Sequence, residues 1–242
     1  MMHRRADTVL VERGFYASRS RAQEAIAAGL VTADGKPVRR ASEAIPKGAA
    51  IRAEEPHPWV SRGGVKLAAA LDAFGLDPSG LVCLDIGAST GGFTEVLLAR
   101  GAARVYAVDV GRGQLHPRVL GHPRVVSLES TDARSLDRSL VPDPVDLAVA
   151  DVSFISLRLV LPAAVALLAR RAAMAVLVKP QFEAGPAHVR KGIVRDEAVR
   201  RRVCRETADF VAALGFEVLG PVPSPIEGRD GNREFLLGAR RG

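Results

Sequence analysis

A chain of 242 residues, 48% of them apolar, can bury one medium-sized core and a small second one. Its formal net charge of +7 and sequence pI near 10.1 favour a polyanionic partner, because clustered cations displace counterions from phosphates. Two cysteines with no C-x-x-C spacing argue against a disulfide scaffold or a zinc site. The start of the chain has no apolar h-region, and the most apolar stretch, 162–180, is broken by Arg170 and Arg171. A cytoplasmic protein with no membrane partner and no metal is therefore expected.

In chain order, residues 6–13 and 20–28 read as short helices, with Gly14 and Gly29 where C-caps fall. "LVTADGKPV" follows as short strands turning at Asp34-Gly35. "EEPHPW" then carries two prolines and two acids without periodicity, which marks a linker. These breaks divide the chain into a small α+β domain over 1–54, a linker over 55–60 and a larger domain over 61–242.

From Ser61 onward, helices and apolar strands alternate. A helix at 64–74 precedes strands at 81–86, 104–110, 125–129, 146–151, 174–179, 217–221 and 234–239, with helices at 93–100, 157–169 and 197–214 between them. Such alternation buries a mostly parallel sheet between helical layers, the Rossmann-like doubly wound α/β class. The last two strands have no helix between them and are expected to form an antiparallel hairpin at one edge.

The stretch "LDIGASTGGFTEVLLARG", from Leu84 to Gly101, admits two readings. Gly87-Ala88-Ser89-Thr90-Gly91 matches the G-x-S-x-G nucleophile elbow, which would make Ser89 a hydrolase nucleophile. In such hydrolases, however, the serine follows several earlier strands, and a late histidine completes the triad. Here Ser89 follows the first strand of its domain, and His188, the last histidine, lies well short of the final strands. The alternative is a cofactor cradle. Asp85 ends the first strand, Gly87, Ser89, Thr90, Gly91 and Gly92 form the turn, and Asp109 ends the second strand, placed to accept two ribose hydroxyls. The spacing is not the dinucleotide G-x-G-x-x-G pattern. S-adenosylmethionine fits better, having ribose, adenine and a charged methionine end but no phosphate. By the same logic Asp132, just after the third strand, is a candidate acceptor for the adenine amino group, with a plain turn aspartate as the alternative.

Four further ionisable residues sit at strand ends or a helix start: Lys66, Asp151, Lys179 and Glu234. A structural salt bridge explains one lysine–acid pair; two pairs converging on one cleft are harder to explain that way. They suit methyl transfer to a ribose hydroxyl, where one group takes the proton, carboxylates position the partners, and no metal is required.

With these residues assembled, the sequence resembles the TlyA family, ribosomal RNA 2′-O-methyltransferases once described as haemolysins. The resemblance runs through "VSRGGVKL", "LDIGASTGGFTEVLL", "DVSFISL", "LVKPQFE" and "GNREFLL". It implies that Lys66, Asp151, Lys179 and Glu234 are the catalytic tetrad of an FtsJ-type methyltransferase domain, with Lys179 as base or hydroxyl-activating group. The first fifty residues are similar to the ribosomal-protein S-four-like RNA-binding module through "SRSRAQEAIAAGLV" and "DGKPV". That similarity implies phosphate contacts from Arg4, Arg5, Arg19, Arg21 and Lys36, which position rather than specify. The sequence ends soon after the last strand at "GARRG", whereas the longer family branch carries an extra C-terminal helical segment, so membership of the short branch is the expectation. The resemblance thus implies a cytidine of large-subunit (23S) RNA as the only target. The linker "EEPHPW" departs from the "RAWV"-like residues of better-known members. A membrane-active haemolysin and a non-catalytic ribosome-assembly factor stand as the competing expectations, and the oligomeric state is left open.

Overall fold

The computed structural model describes residues 3–228 and 231–242, and the chain divides into two compact units, residues 1–58 and 59–242. In the first, helices α1 (Ala6–Glu12) and α2 (Arg19–Ala27) pack on two small sheets. Strand β1 (His3–Arg5) pairs antiparallel with β4 (Ala44–Pro46), and β2 (Val31–Ala33) lies between β3 (Lys36–Pro37) and β5 (Ile51–Ala53). The expected two-residue turn forms at Asp34-Gly35, both left-handed at φ 50° and 74°, with Ala33 opposite Lys36. Strands β1, β4 and β5 are too short for a period-2 pattern to show in the sequence. They close over a core that includes Val9, Leu10, Tyr16, Ile26 and Ile45.

The second unit is a seven-stranded sheet of β6 (Val82–Ile86), β7 (Arg104–Val108), β8 (Val125–Leu128), β9 (Val145–Ala150), β10 (Leu168–Val178), β11 (Glu217–Pro223) and β12 (Phe235–Arg241). Their spatial order is β11-β12-β10-β9-β6-β7-β8. β8 through β10 are mutually parallel, and β12 runs antiparallel to both of its neighbours. The hairpin of β11 and β12 thus forms as read. Only β11 is at the edge, however, because the fully apolar centre of β12 is inserted beside β10.

Side-chain alternation assigns the two layers. Leu84, Ile86, Met174 and Val176 point to the face covered by α6 (Leu157–Leu167) and α8 (Glu197–Ala213). Cys83, Ala175 and Leu177 point to the face covered by α3 (Gly63–Phe74) and α4 (Gly92–Ala99). Two short helices, α5 (Pro117–Leu120) and α7 (Pro180–Glu183), lie at strand ends. β10 begins at Leu168, where the sequence pattern continues the preceding helix to 169. The early start is held by pairing of Ala172 and Ala173 with Arg241 and Arg240, and by Arg241 donating to the Leu168 and Ala169 carbonyls. Cys83 and Cys204 are free and buried, and burial pushes their thiols up to about 12 and about 11. Among the described residues, no helix is long and apolar enough to cross a membrane, and no group of three or more His, Cys, Asp or Glu could hold a metal ion.

Candidate active site at the carboxyl ends of the strands

The sheet changes direction of growth at β6, which pairs with β7 on one side and β9 on the other, so a crevice opens beyond its carboxyl end. The glycine turn occupies that place. Gly87 sits at φ 82°, and a Cβ there would lie 2.7 Å from the Asp151 carbonyl oxygen. The Asp151 N–H in turn donates to the Ile86 carbonyl at 3.0 Å. A Cβ at Gly92 would fall 2.1 Å from Ser61 Oγ, so the start of α4 closes directly onto the segment leading into α3. The glycines are thus demanded by protein neighbours, and they press the turn against Asp151.

Carboxylates fix the rest of the cradle. Asp85 has no exposed surface. One oxygen accepts from the Thr94 hydroxyl at 2.6 Å, and the other, Oδ1, is buried without a hydrogen-bond partner. Burial, with Asp151 and Asp109 nearby, raises its carboxyl to about 7, against the opposing Thr94 hydrogen bond. The structure therefore places Asp85 beneath the turn, whereas Ser89 is exposed above it. Asp109, just beyond β7, accepts from Ser89 N–H at 2.8 Å and from Gly111 N–H at 2.7 Å, one on each oxygen. Each oxygen keeps a lone pair, and the neighbouring Val110 is 73% exposed. Asp132 lies at the surface and accepts from the Arg134 guanidinium on both oxygens, which holds its carboxyl down at about 2; it also accepts from Arg134 N–H as the N-cap of a short 3-10 turn. Glu129, which the sequence reading passed over, accepts from the N–H groups of Gly113 and Gln114 at 2.9 and 2.8 Å and so shapes the loop after Asp109.

The structure brings the four candidate tetrad residues to one rim as two pairs. Lys66, one turn into α3, donates to Glu234 Oε2 at 2.5 Å, with both side chains buried. Lys179 Nζ lies 2.6 Å from Asp151 Oδ1 and donates to Ser153 Oγ at 2.8 Å. Val178 pairs with Phe235, so Lys179 and Glu234 adjoin at the ends of β10 and β12. Ala150 pairs with both Val176 and Ile86, which brings Asp151 beside them. Ser153 was not read from the sequence: an isolated serine carries no signal until the chain bends back after β9.

The same bend presents Phe154, 90% exposed and left-handed at φ 64°, a conformation costly for a bulky residue. Its ring meets that of Phe182 at 5.1 Å, and Lys179 Nζ lies 5.9 Å from the Phe182 centroid. Glu183 ties the two segments together by accepting from Ser156 Oγ at 2.6 Å and Leu157 N–H at 2.8 Å. Ser89 shares no hydrogen bond with a histidine among the described residues. His116, whose N–H binds the Thr90 carbonyl, uses Nδ1 to accept from Arg118 N–H. The nucleophile reading of Ser89 gains no partner from the fold.

In the first unit, Asp7 is completely buried and accepts from Arg5 Nε at 3.0 Å, Arg19 Nη2 at 2.8 Å and Gln23 Nε2 at 2.8 Å. Arg5, Arg19 and Gln23 hold its carboxyl far below the ordinary carboxylate range. Both guanidiniums remain about half exposed, at 49% and 56%. Arg4 pairs with Glu12 at 2.8 Å, and Lys36 is exposed on β3. Arg21 departs from the expected outward phosphate contact: it binds Glu55 at 2.6 Å and the His57 carbonyl, and its side chain is only 15% exposed. The end of the expected first domain and the beginning of the expected linker, residues 54–57, thereby fold back onto α2, helped by Tyr16 donating to the Glu54 carbonyl at 2.7 Å.

A doubly wound sheet whose last strand is inserted antiparallel, with a carboxylate after the second strand facing a glycine turn after the first, is the methyltransferase variant of the Rossmann-like fold. The chain belongs to the FtsJ-like methyltransferase family, whose model matches residues 59–241, and residues 4–51 match the S4 domain. It is 47% identical, over 98% of its length and 89% of the relative's, to the 16S/23S rRNA (cytidine-2'-O)-methyltransferase TlyA of Mycobacterium tuberculosis. It is 34% identical, over 74% of its length and 69% of the relative's, to the 23S rRNA (cytidine-2'-O)-methyltransferase TlyA of Campylobacter jejuni. A solved structure from Streptococcus thermophilus named as a hemolysin superposes with TM-score 0.78 at 39% identity, covering 100% of this chain and 89% of that one.

Proposed function

We propose that this chain is an S-adenosylmethionine-dependent ribose 2′-O-methyltransferase that acts on a cytidine of ribosomal RNA, with the large-subunit 23S RNA as its target. The observation that carries the reading is Lys179, buried at the strand rim with Asp151 and Ser153 on its ammonium and the exposed Phe154 packed on Phe182 alongside. A cytidine base stacked on Phe154 would bring its ribose towards Lys179. The third direction of the ammonium is then left for the 2′-oxygen. As that oxygen attacks, its proton passes to the Lys179–Asp151 pair, which has one basic site, and from there to solvent. Lys66 and Glu234 brace the rim from the other side.

The residues of the crevice fit the cofactor. The two oxygens of Asp109 each keep a lone pair for a ribose hydroxyl, Val110 offers an apolar face, and Ser89 and Thr90 stand at the turn where the methionine end would lie. Gly87, Gly91 and Gly92 give that turn its shape, and Asp85 supports it from beneath through Thr94. When bound, S-adenosylmethionine supplies an electrophilic methyl group on sulfonium, so the protein has chiefly to align the acceptor and take one proton. Asp132 would join the site only by leaving Arg134. The S4 domain supports ribosomal RNA as partner through Arg4, Arg5, Arg19 and Lys36, and a cytoplasmic setting follows from that substrate.

The decisive experiment maps 2′-O-methylation in ribosomal RNA from cells with and without the gene. A single gene-dependent methyl-cytidine in 23S RNA is expected. A second in 16S RNA overturns the restriction to the large subunit, and none in either overturns the reading. Purified Lys179→Ala should lose roughly 10²–10⁴-fold in single-turnover rate while binding S-adenosylmethionine nearly as before. Unchanged turnover in that variant would exclude the assigned role. The hemolysin reading draws only on the naming of relatives, and leakage of dye from liposomes on adding RNA-free protein tests it.

A further inference from the structure

Beyond α7 the chain makes a small hairpin that the tetrad does not use. Arg190 and Ile193 exchange both backbone hydrogen bonds at 3.0 Å, and Lys191 and Gly192 form the tip at φ 51° and 77°. Two left-handed residues make this a type I′ turn, whose first central position ordinarily goes to Asn, Asp or Gly. Here it holds a lysine, whose strained backbone aims a charge outward. The turn is held by Asn232, which is 3% exposed. Its amide donates to the Gly192 carbonyl at 2.8 Å and accepts from Val194 N–H at 3.2 Å, as a neighbouring strand would. Asn232 is two residues before Glu234, so the clamp sets the turn against the chain that enters the tetrad.

The charges around it are one-sided. Arg190, Lys191, Arg195 and Arg233 are all exposed, and none has a carboxylate within 4.0 Å among the described residues. Among the described residues the nearby acids are Asp196, which caps α8, Glu197, which pairs with Arg200, and Glu227, which lines the same groove as Arg195 and Arg233. Grooves of ≈ 310 and ≈ 300 Å³ flank the turn, sharing Ile193 and Arg195 in their walls. A clamped tip whose cations have no carboxylate partner among the described residues, beside shallow grooves, suits a chain of phosphates, whose spaced charges each need one cation and no deep pocket.

The geometry points to a second phosphate-binding surface, made by the Arg190–Arg195 turn and Arg233 and positioned by Asn232, which grips the RNA backbone next to the target nucleotide. This rests on the ribosomal RNA reading of the same site. It places RNA contacts on the catalytic unit itself as well as on the S4 domain.

The test compares the full chain with Arg190→Gln/Lys191→Gly, which keeps the left-handed tip but removes two charges. Binding of a 23S RNA transcript is followed by fluorescence polarisation over a range of salt. Loss of two phosphate contacts should weaken binding roughly ten- to thirtyfold near physiological salt and make the log–log salt slope shallower by about 1.5 to 2. Lys191→Gly alone, which relieves the strained φ, should show about half that change in slope. Affinity and slope equal to those of the parent in both variants overturn the proposal. So does turn-dependent binding of poly-glutamate with turn-independent binding of RNA, which would assign the surface to an acidic protein. Parent protein that binds RNA through the turn but methylates none would sink the methyltransferase reading and leave this surface standing.

Discussion

The two units handle buried charge in opposite ways. In the S4 domain one buried carboxylate, Asp7, anchors two guanidiniums that are half in water, whereas at the sheet rim two buried lysines face two largely buried carboxylates. Arg5 and Arg19 can be rehydrated if their anchor is lost. Glu234, at 3% side-chain exposure, cannot be if Lys66 is lost. Counting ion pairs would rate the two regions alike; solvent access separates guanidiniums that stay open to water from lysines and carboxylates that are held against one another out of it.

That contrast is open to mutation. Lys66→Met strands Glu234 without a partner and should cost about 3–5 kcal/mol, a fall of roughly 6–20 °C in Tm for a unit of this size. Lys66→Met/Glu234→Leu should recover most of the loss in a thermal melt while remaining inactive. A single variant as stable as the parent would show the pair to be solvated.

Asp85 gives the next effect. The folded state holds its proton up to about 7, whereas the unfolded chain releases it near 3.8, so stability should fall as pH rises between those values and level off above them. Asp85→Asn should flatten that slope and gain on the order of a few kcal/mol relative to the parent at pH 8, as read by denaturant titration at several pH values. Identical pH profiles for the two proteins would show that the carboxylate is hydrated.

Asp7→Asn should cost less, about 1–2 kcal/mol, because its partners return to water. Since the Asp7 carboxyl is held below its ordinary value, its contribution is present above that value and is lost as pH falls below it. Urea titration of the S4 domain signal at pH 7 and under acid conditions reads both; a loss as large as that of Lys66→Met would erase the distinction between the regions. Ser89→Gly should have the smallest effect. It relieves φ 47° and gains up to about 1 kcal/mol in a denaturant titration, and a fluorophosphonate probe should label neither protein.

Much of the fold was legible because its signals are local. Apolar runs ending in Asp85, Asp109, Asp151 and Lys179 announce strands with chemistry at their carboxyl ends, and Asp34-Gly35 announces a hairpin. The glycine turn carried two signals at once, since an elbow and a cradle share a strand–turn–helix string. What separated them was the position of Ser89 in strand order and the carboxylate of Asp109, which in the structure holds the Ser89 N–H itself. Less accessible were features made by distant segments. Ser153 meets Lys179 and Phe154 meets Phe182 where Glu183 ties α7 to the start of α6, and Arg21 reads as an outward cation until Glu55 and His57 fold back onto it.

Residue types and spacing thus pointed to the doubly wound class, the basic N-terminal module and four ionisable residues at strand ends or a helix start, because periodicity and strand-end position are properties of short stretches. Folding decided how those four residues divide: Lys66 with Glu234 and Lys179 with Asp151, an assignment made by the insertion of β12 beside β10. It also decided that Asp85 works from beneath the cradle and that Asn232 clamps the cationic turn. Pairing and burial depend on which strands become neighbours, and that is settled by the packing of the whole sheet between its helices.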